Sequence, residues 1–178
     1  MLRRPTIEEY RAEGRDYYIV CNTCTHLYVR LANIFGMKPL EPLRQIEVRI
    51  NNVRSCLDDK VYDDYPLMNA QESCRIYYAI RGIEFEQLDD IPEELRHKKL
   101  TFDQYKQIGD ELKKLKKSVV SLGLKSAKLH GKTKVRGVLD SSEIFTKLFN
   151  NLQLIEYKDL STQSIAKTDL FNVFWGDL

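Results

Sequence analysis

The sequence predicts an all-α protein of about six helices with no sheet, and three observations carry that prediction. Apolar residues recur at alternating steps of three and four over long stretches. Those stretches open on capping residues and close on Gly or Pro. No run of strict apolar–polar alternation is present, and 8 Gly and 5 Pro in 178 residues are too few for a turn-rich β sandwich.

Thr6 and Glu9 have capping-box spacing and open a short first helix. A longer helix is expected from Asp16 to Phe35, with Tyr17, Cys21, Cys24, Tyr28, Leu31 and Phe35 on one stripe. Tyr17 to Val20 has strand-like residues but lies inside that helical stripe. Gly36 then stops the helix, and Pro39 keeps it stopped. Pro42 suits a first helical turn, whose N–H groups lack partners anyway. It starts a third helix with Leu43, Ile46, Ile50, Val53 and Leu57 inward. Asp58 and Asp59 oppose the dipole at its C-terminal end, so the helix is expected to finish there. Lys60 to Met68 then reads as a loop.

Asn69 caps a fourth helix, expected to reach Leu88 with Ile76, Tyr77, Ile80 and Ile83 inward. Gly82 inside it costs about 1 kcal/mol relative to Ala. The charged, Pro-containing stretch 91–100 reads as a connector. It divides the chain into helical subdomains at 1–90 and 101–178. Thr101 and Gln104 open a fifth helix with Tyr105, Ile108, Leu112, Leu115, Val119 and Leu122 inward, ended by Gly123. Asp140 and Glu143 cap a sixth, with Ile144, Phe145, Leu148, Phe149 and Leu152 inward. No internal repeat or low-complexity tract is read.

The terminal cluster around Leu170 and Val173 is apolar enough to need a partner surface. It docks on its own domain or on a second copy. In the latter case Phe171, Phe174 and Trp175 are the candidate oligomer interface.

No apolar stretch approaches the roughly 20 residues of a membrane span. Glu8, Glu9, Arg11, Glu13, Arg15 and Asp16 break up the N-terminal region, so no secretory h-region is expected. A cytoplasmic protein with its four cysteines as thiols is therefore expected. Cys21 and Cys24 have the C-x-x-C spacing of a zinc knuckle, but no second half accompanies them, and both fit the apolar stripe. No metal or other cofactor is expected. No nucleophile–base pair or phosphate-binding Gly loop is present, so no catalytic residue is nominated.

The charge distribution gives the functional lead. Lys and Arg number 28 against 26 Asp and Glu, a net charge of +2. Nine of the basic residues fall between Leu112 and Val138, where no acid occurs, and removing them turns +2 into −7. They are Lys113, Lys114, Lys116, Lys117, Lys125, Lys128, Lys132, Lys134 and Arg136. Lys113 and Lys117 share a helix face with Lys106, and the segment after Gly123 reads as a cationic loop. Lysine is a point charge that suits phosphate, whereas arginine reads bases. With no aromatic in the segment beyond His130, a duplex or structured polyanion is favoured over base stacking.

The expected function is non-enzymatic, sequence-independent binding of nucleic-acid phosphates, with RNA favoured over DNA. Lys113, Lys117, Lys125, Lys128, Lys132, Lys134 and Arg136 are the expected contacts. Coating of this kind is how small viral RNA-sequestering proteins work, an example of mechanism only, since no motif ties the chain to a family. The alternatives are a self-associating helical protein–protein module and a metal-dependent nuclease that would use Asp58-Asp59, Asp63-Asp64 or Asp89-Asp90.

Overall fold

The computed structural model describes residues 3–78 and 99–176, and the described residues form helices joined by short turns. The fold class is all-α, with no strand among the described residues.

Helix α1 spans Ile7–Phe35 as one piece rather than two. Its capping box forms as expected: the Thr6 hydroxyl accepts from the Glu9 N–H, and the Glu9 carboxylate accepts from the Thr6 N–H. Nothing between Ile7 and Asp16 breaks a helix, so the cap and the Tyr17 stripe belong to one element. Gly36, at φ 77°, ends it in a conformation that favours glycine.

A short 3-10 turn (Lys38–Leu40) leads into α2 (Glu41–Asp64), with Pro42 in the first turn. Helix α2 runs past its expected end at Asp58–Asp59. Val61, fully buried, extends the Leu57 stripe by one turn, and Lys60 pairs with Asp64 across the last one. Burial of apolar surface outweighs the unfavourable dipole placement of the aspartates. Helix α3 (Ala70–Tyr77) begins where Asn69 accepts from the Gln71 N–H at 2.9 Å. The expected continuation to Leu88, with Ile80, Gly82 and Ile83, lies outside the described residues, as does most of the 91–100 connector.

Helix α4 (Phe102–His130) is capped by Thr101 and Gln104 and does not stop at Gly123. A Cβ there would stand 3.0 Å from the Leu139 side chain, so Gly123 serves packing rather than termination. The helix ends at Gly131, φ 85°. Much of the expected cationic loop is therefore helix. A single turn, α5 (Arg136–Leu139), precedes α6 (Ser141–Leu160). Asp140 does not cap α6 through its side chain; its carboxylate lies 3.2 Å from Arg136 Nε instead. The predicted stripe, Ile144 to Leu152, is buried. Helix α7 (Lys167–Trp175) docks on α4 and α6 through Leu170, Val173 and Phe174.

Tyr17, Leu31, Ile46 and Ile50 from the first half share one continuous core with Leu112, Val119, Phe145 and Phe149 from the second. The segments expected as two subdomains thus pack directly on one another, α1 on α4 and α2 on α6.

An internal repeat organises that core, contrary to the sequence reading. Thr6, Glu9, Tyr10 and Gly14 recur as Thr101, Gln104, Tyr105 and Gly109, at a constant offset of 95 residues (Thr6 to Thr101, Tyr10 to Tyr105). Helices α1 and α4 are each 29 residues long. Gly36 and Gly131, at the same offset, close them with similar positive φ. The Tyr10 hydroxyl donates to Asp64 at 2.6 Å, and its repeat mate Tyr105 donates to Asp159 at 2.6 Å. Burial, then the carboxylate, pushes both tyrosine hydroxyls well above their ordinary pKa, so they stay protonated and donate. Gly14 lets α3 approach α1, and Gly109 lets α7 approach α4. The unit is a long helix, a returning helix and a short closing helix, used twice.

Candidate nucleic-acid interface

The two long helices run antiparallel. Tyr10 near the start of α1 lies 5.5 Å, ring to ring, from His130 at the end of α4; Tyr105 near the start of α4 lies 6.0 Å from Phe35 at the end of α1. Two repeat-related ion pairs bridge them. Asp16 and Lys125 meet at 2.7 Å, and Arg30 meets Glu111. Asp16 and Arg30 are about four helical turns apart, so they share one face of α1, and the bridges stand about 21 Å apart along the α1–α4 groove.

A cleft of about 350 Å³ opens at the Asp16–Lys125 end of this groove. Lys114, Lys117 and Lys125 give it a cationic side, and Ser118 and Ser121 add hydroxyls. Ile19, Val20 and Leu122 supply apolar surface. Spacing explains the grouping: Lys114, Lys117, Ser121, Lys125 and Lys128 follow steps of three, four, four and three, one stripe on α4.

The predicted contacts divide accordingly. Lys117 and Lys125 line the cleft. Lys128, Lys132 and Lys134 continue outward as exposed residues with no ion pair among the described residues. Arg136 pairs with Asp140 yet keeps its side chain 80% exposed. Lys113 does not belong with them. It is 12% exposed, 3.0 Å from Asp110 and 3.5 Å from the Asn172 carbonyl, which tethers α7 to α4. Sequence reasoning grouped Lys113 with Lys117 because both lie opposite the stripe; it missed that α7 covers the side on which Lys113 lies. Lys114, absent from the expected contacts, lines the cleft beside Lys117 and Lys125.

His130 is no stacking platform. Its ring is buried, with Nε2 2.8 Å from Glu13 Oε2, which also accepts from the Tyr77 hydroxyl at 2.7 Å. This cluster pins the end of α4 against α1 and so positions the turn that carries Lys132 and Lys134.

The fold does not demand these lysines. At the 95-residue offset, Lys114, Lys117, Lys128, Lys132 and Lys134 correspond to Ile19, Asn22, Asn33, Met37 and Pro39. The same helical unit is thus built without them in the first repeat.

Cys21 and Cys24 lie in the core, where burial raises the Cys21 thiol to about 11 and Cys24 still higher. A protonated thiol is a poor metal ligand. No group of three or more His, Cys, Asp or Glu is placed to hold a metal among the described residues. Asp64 is engaged by Tyr10 and Lys60, and Asp89-Asp90 lies outside the described residues.

Phe174 is fully buried on Phe149, so it belongs to its own chain's core rather than to an interface between copies. Trp175 meets Phe149 edge-on at 5.6 Å and donates from Nε1 to Gln153 at 3.1 Å. Phe171 stacks on Trp175 and remains about half exposed.

No protein-family model, curated protein or solved structure matches the chain. No helix among the described residues is long and apolar enough to cross a membrane.

Proposed function

We propose that the protein binds nucleic acid, RNA in preference to DNA, through the phosphate backbone and without catalysis. The contacts are Lys114, Lys117, Lys125 and Lys128 on α4, continued by Lys132, Lys134 and Arg136. The observation that carries this reading is the confinement of exposed Lys114, Lys117, Lys128, Lys132 and Lys134 to the second repeat; of the row, only Lys125 has a basic counterpart, Arg30, in the first. Each phosphate contacted releases condensed counterions, so several lysines together give affinity that falls steeply with salt. Sequence-independent contacts of this kind suit coating or sequestering a strand.

Fluorescence anisotropy with labelled RNA tests the proposal. Binding is expected at low salt. The triple variant Lys125→Glu, Lys128→Glu, Lys132→Glu should abolish it while helical circular dichroism is unchanged. Absence of binding by the wild type at low salt refutes it.

Exposed Phe171, stacked on Trp175, favours a second property, weak self-association through α7. Sedimentation should then show a concentration-dependent dimer that Phe171→Glu removes. A strict monomer at high concentration would rule this out.

A further inference from the structure

We infer that the α1–α4 cleft holds one unpaired nucleotide of the bound strand, its base against Ile19, Val20 and Leu122 and its phosphate on Lys114, Lys117 and Lys125. This rests on the phosphate-binding reading and departs from the preference for duplex drawn from the absence of aromatics.

The cleft's size comes first. About 350 Å³ lies at the lower end of small-ligand pockets, enough for a nucleotide-sized group. A base held in a duplex cannot enter such a cleft, whereas an unstacked base can turn into it. Charge complementarity comes next. Three ammonium groups face one carboxylate, so the site keeps a net positive charge. Chemistry comes third. Ile19, 41% exposed, presents an aliphatic surface to the flat face of any base, and Val20 and Leu122 lie almost wholly buried behind it. Ser121 offers a hydroxyl to ribose or base edges, and Ser118, whose hydroxyl donates to the Lys114 carbonyl at 3.1 Å, offers an accepting oxygen, neither demanding a particular sequence.

Asp16 sets protein and phosphate in competition for Lys125. Its carboxylate holds Lys125 at 2.7 Å and faces the cleft where a phosphate would lie. An incoming phosphate must compete for that ammonium group and approach a like charge. Asp16→Asn should therefore tighten binding about threefold, although it deletes an ion pair. A purely structural ion pair predicts no such gain.

Anisotropy titrations of the full chain use three probes: a blunt RNA duplex, the same duplex with an unpaired extension, and the extension strand alone. The extended duplex is expected to bind about tenfold tighter than the blunt one, the scale of removing part of one base's apolar face from water. The double variant Ser118→Leu, Ser121→Leu fills the cleft from exposed positions and keeps every charge. It should erase that preference, so that the extended duplex binds no tighter than the blunt one. Equal affinity for blunt and extended duplexes overturns the inference and leaves phosphate binding standing. So does a double variant that weakens both alike, or an Asp16→Asn variant with unchanged affinity. Failure of all three probes to bind at low salt overturns the phosphate-binding reading itself.

Discussion

Glu156→Gln is expected to flatten a fall in stability between about pH 4.5 and pH 8 that the wild-type protein should show. Glu156 lies on the inward face of α6 with no solvent exposure, and neither carboxyl oxygen has a partner among the described residues. Burial raises its pKa from 4.5 to about 8. Within that window the folded protein keeps a proton that the unfolded chain has released, so rising pH favours unfolding. Below pH 4.5 both states are protonated and no penalty exists. Above pH 8 the full penalty applies, on the order of 5 kcal/mol at most. The repeat indicates a remedy: at the 95-residue offset Glu156 corresponds to Val61, which is fully buried. Glu156→Leu should therefore stabilise the protein by several kcal/mol at pH 8 and much less at pH 4.5. Urea unfolding across that range measures both variants. A wild-type stability that rises with pH over this interval, unchanged by Glu156→Gln, contradicts the prediction.

Gly109→Ala is expected to lower the melting temperature by about 10 °C, although alanine is the better helix former by about 1 kcal/mol. A Cβ at Gly109 would stand 2.2 Å from the Val173 carbonyl oxygen, a backbone atom that cannot rotate away. Helix α7 must then shift outward, and overpacking against backbone stands at the upper end of the usual range, about 3 kcal/mol. At roughly 2–4 °C per kcal/mol for a chain of this size, that loss is readily measured. Gly14→Ala should cost a similar amount, because its Cβ would stand 1.9 Å from the Ile76 carbonyl oxygen. The two are separable by fluorescence. The chain has one tryptophan, and Trp175 rides on α7. Gly109→Ala should red-shift its emission, whereas Gly14→Ala, which displaces α3, should not. Stabilisation by either alanine would contradict the close-packed repeat.

Legibility in the sequence followed the physics of each element. The caps at Thr6, Asn69 and Thr101 and the stripes of α1, α2, α4 and α6 were readable, because they depend on neighbours a few residues away. The ends of α2 and α4 were not. Asp58 and Gly123 look like stops only while the burial of Val61 and the nearness of Leu139 are unknown. The repeat was present in the letters as T-x-x-E-Y-x-x-x-G and T-x-x-Q-Y-x-x-x-G, but few other residues match, so it emerges from paired geometry. The basic segment was visible as charge, and Lys125 and Lys128 stayed on its exposed face. Lys113 was misplaced because its solvent exposure depends on α7, about sixty residues later.

The central claim, that the lysines of the second repeat bind phosphate, is tested most directly by the salt dependence of RNA affinity. The logarithm of the association constant should fall with the logarithm of salt concentration at a slope steeper than about −3. Lys132→Gln and Lys134→Gln should each reduce the slope's magnitude by about 1. A slope near zero, or one that neither variant changes, contradicts the claim.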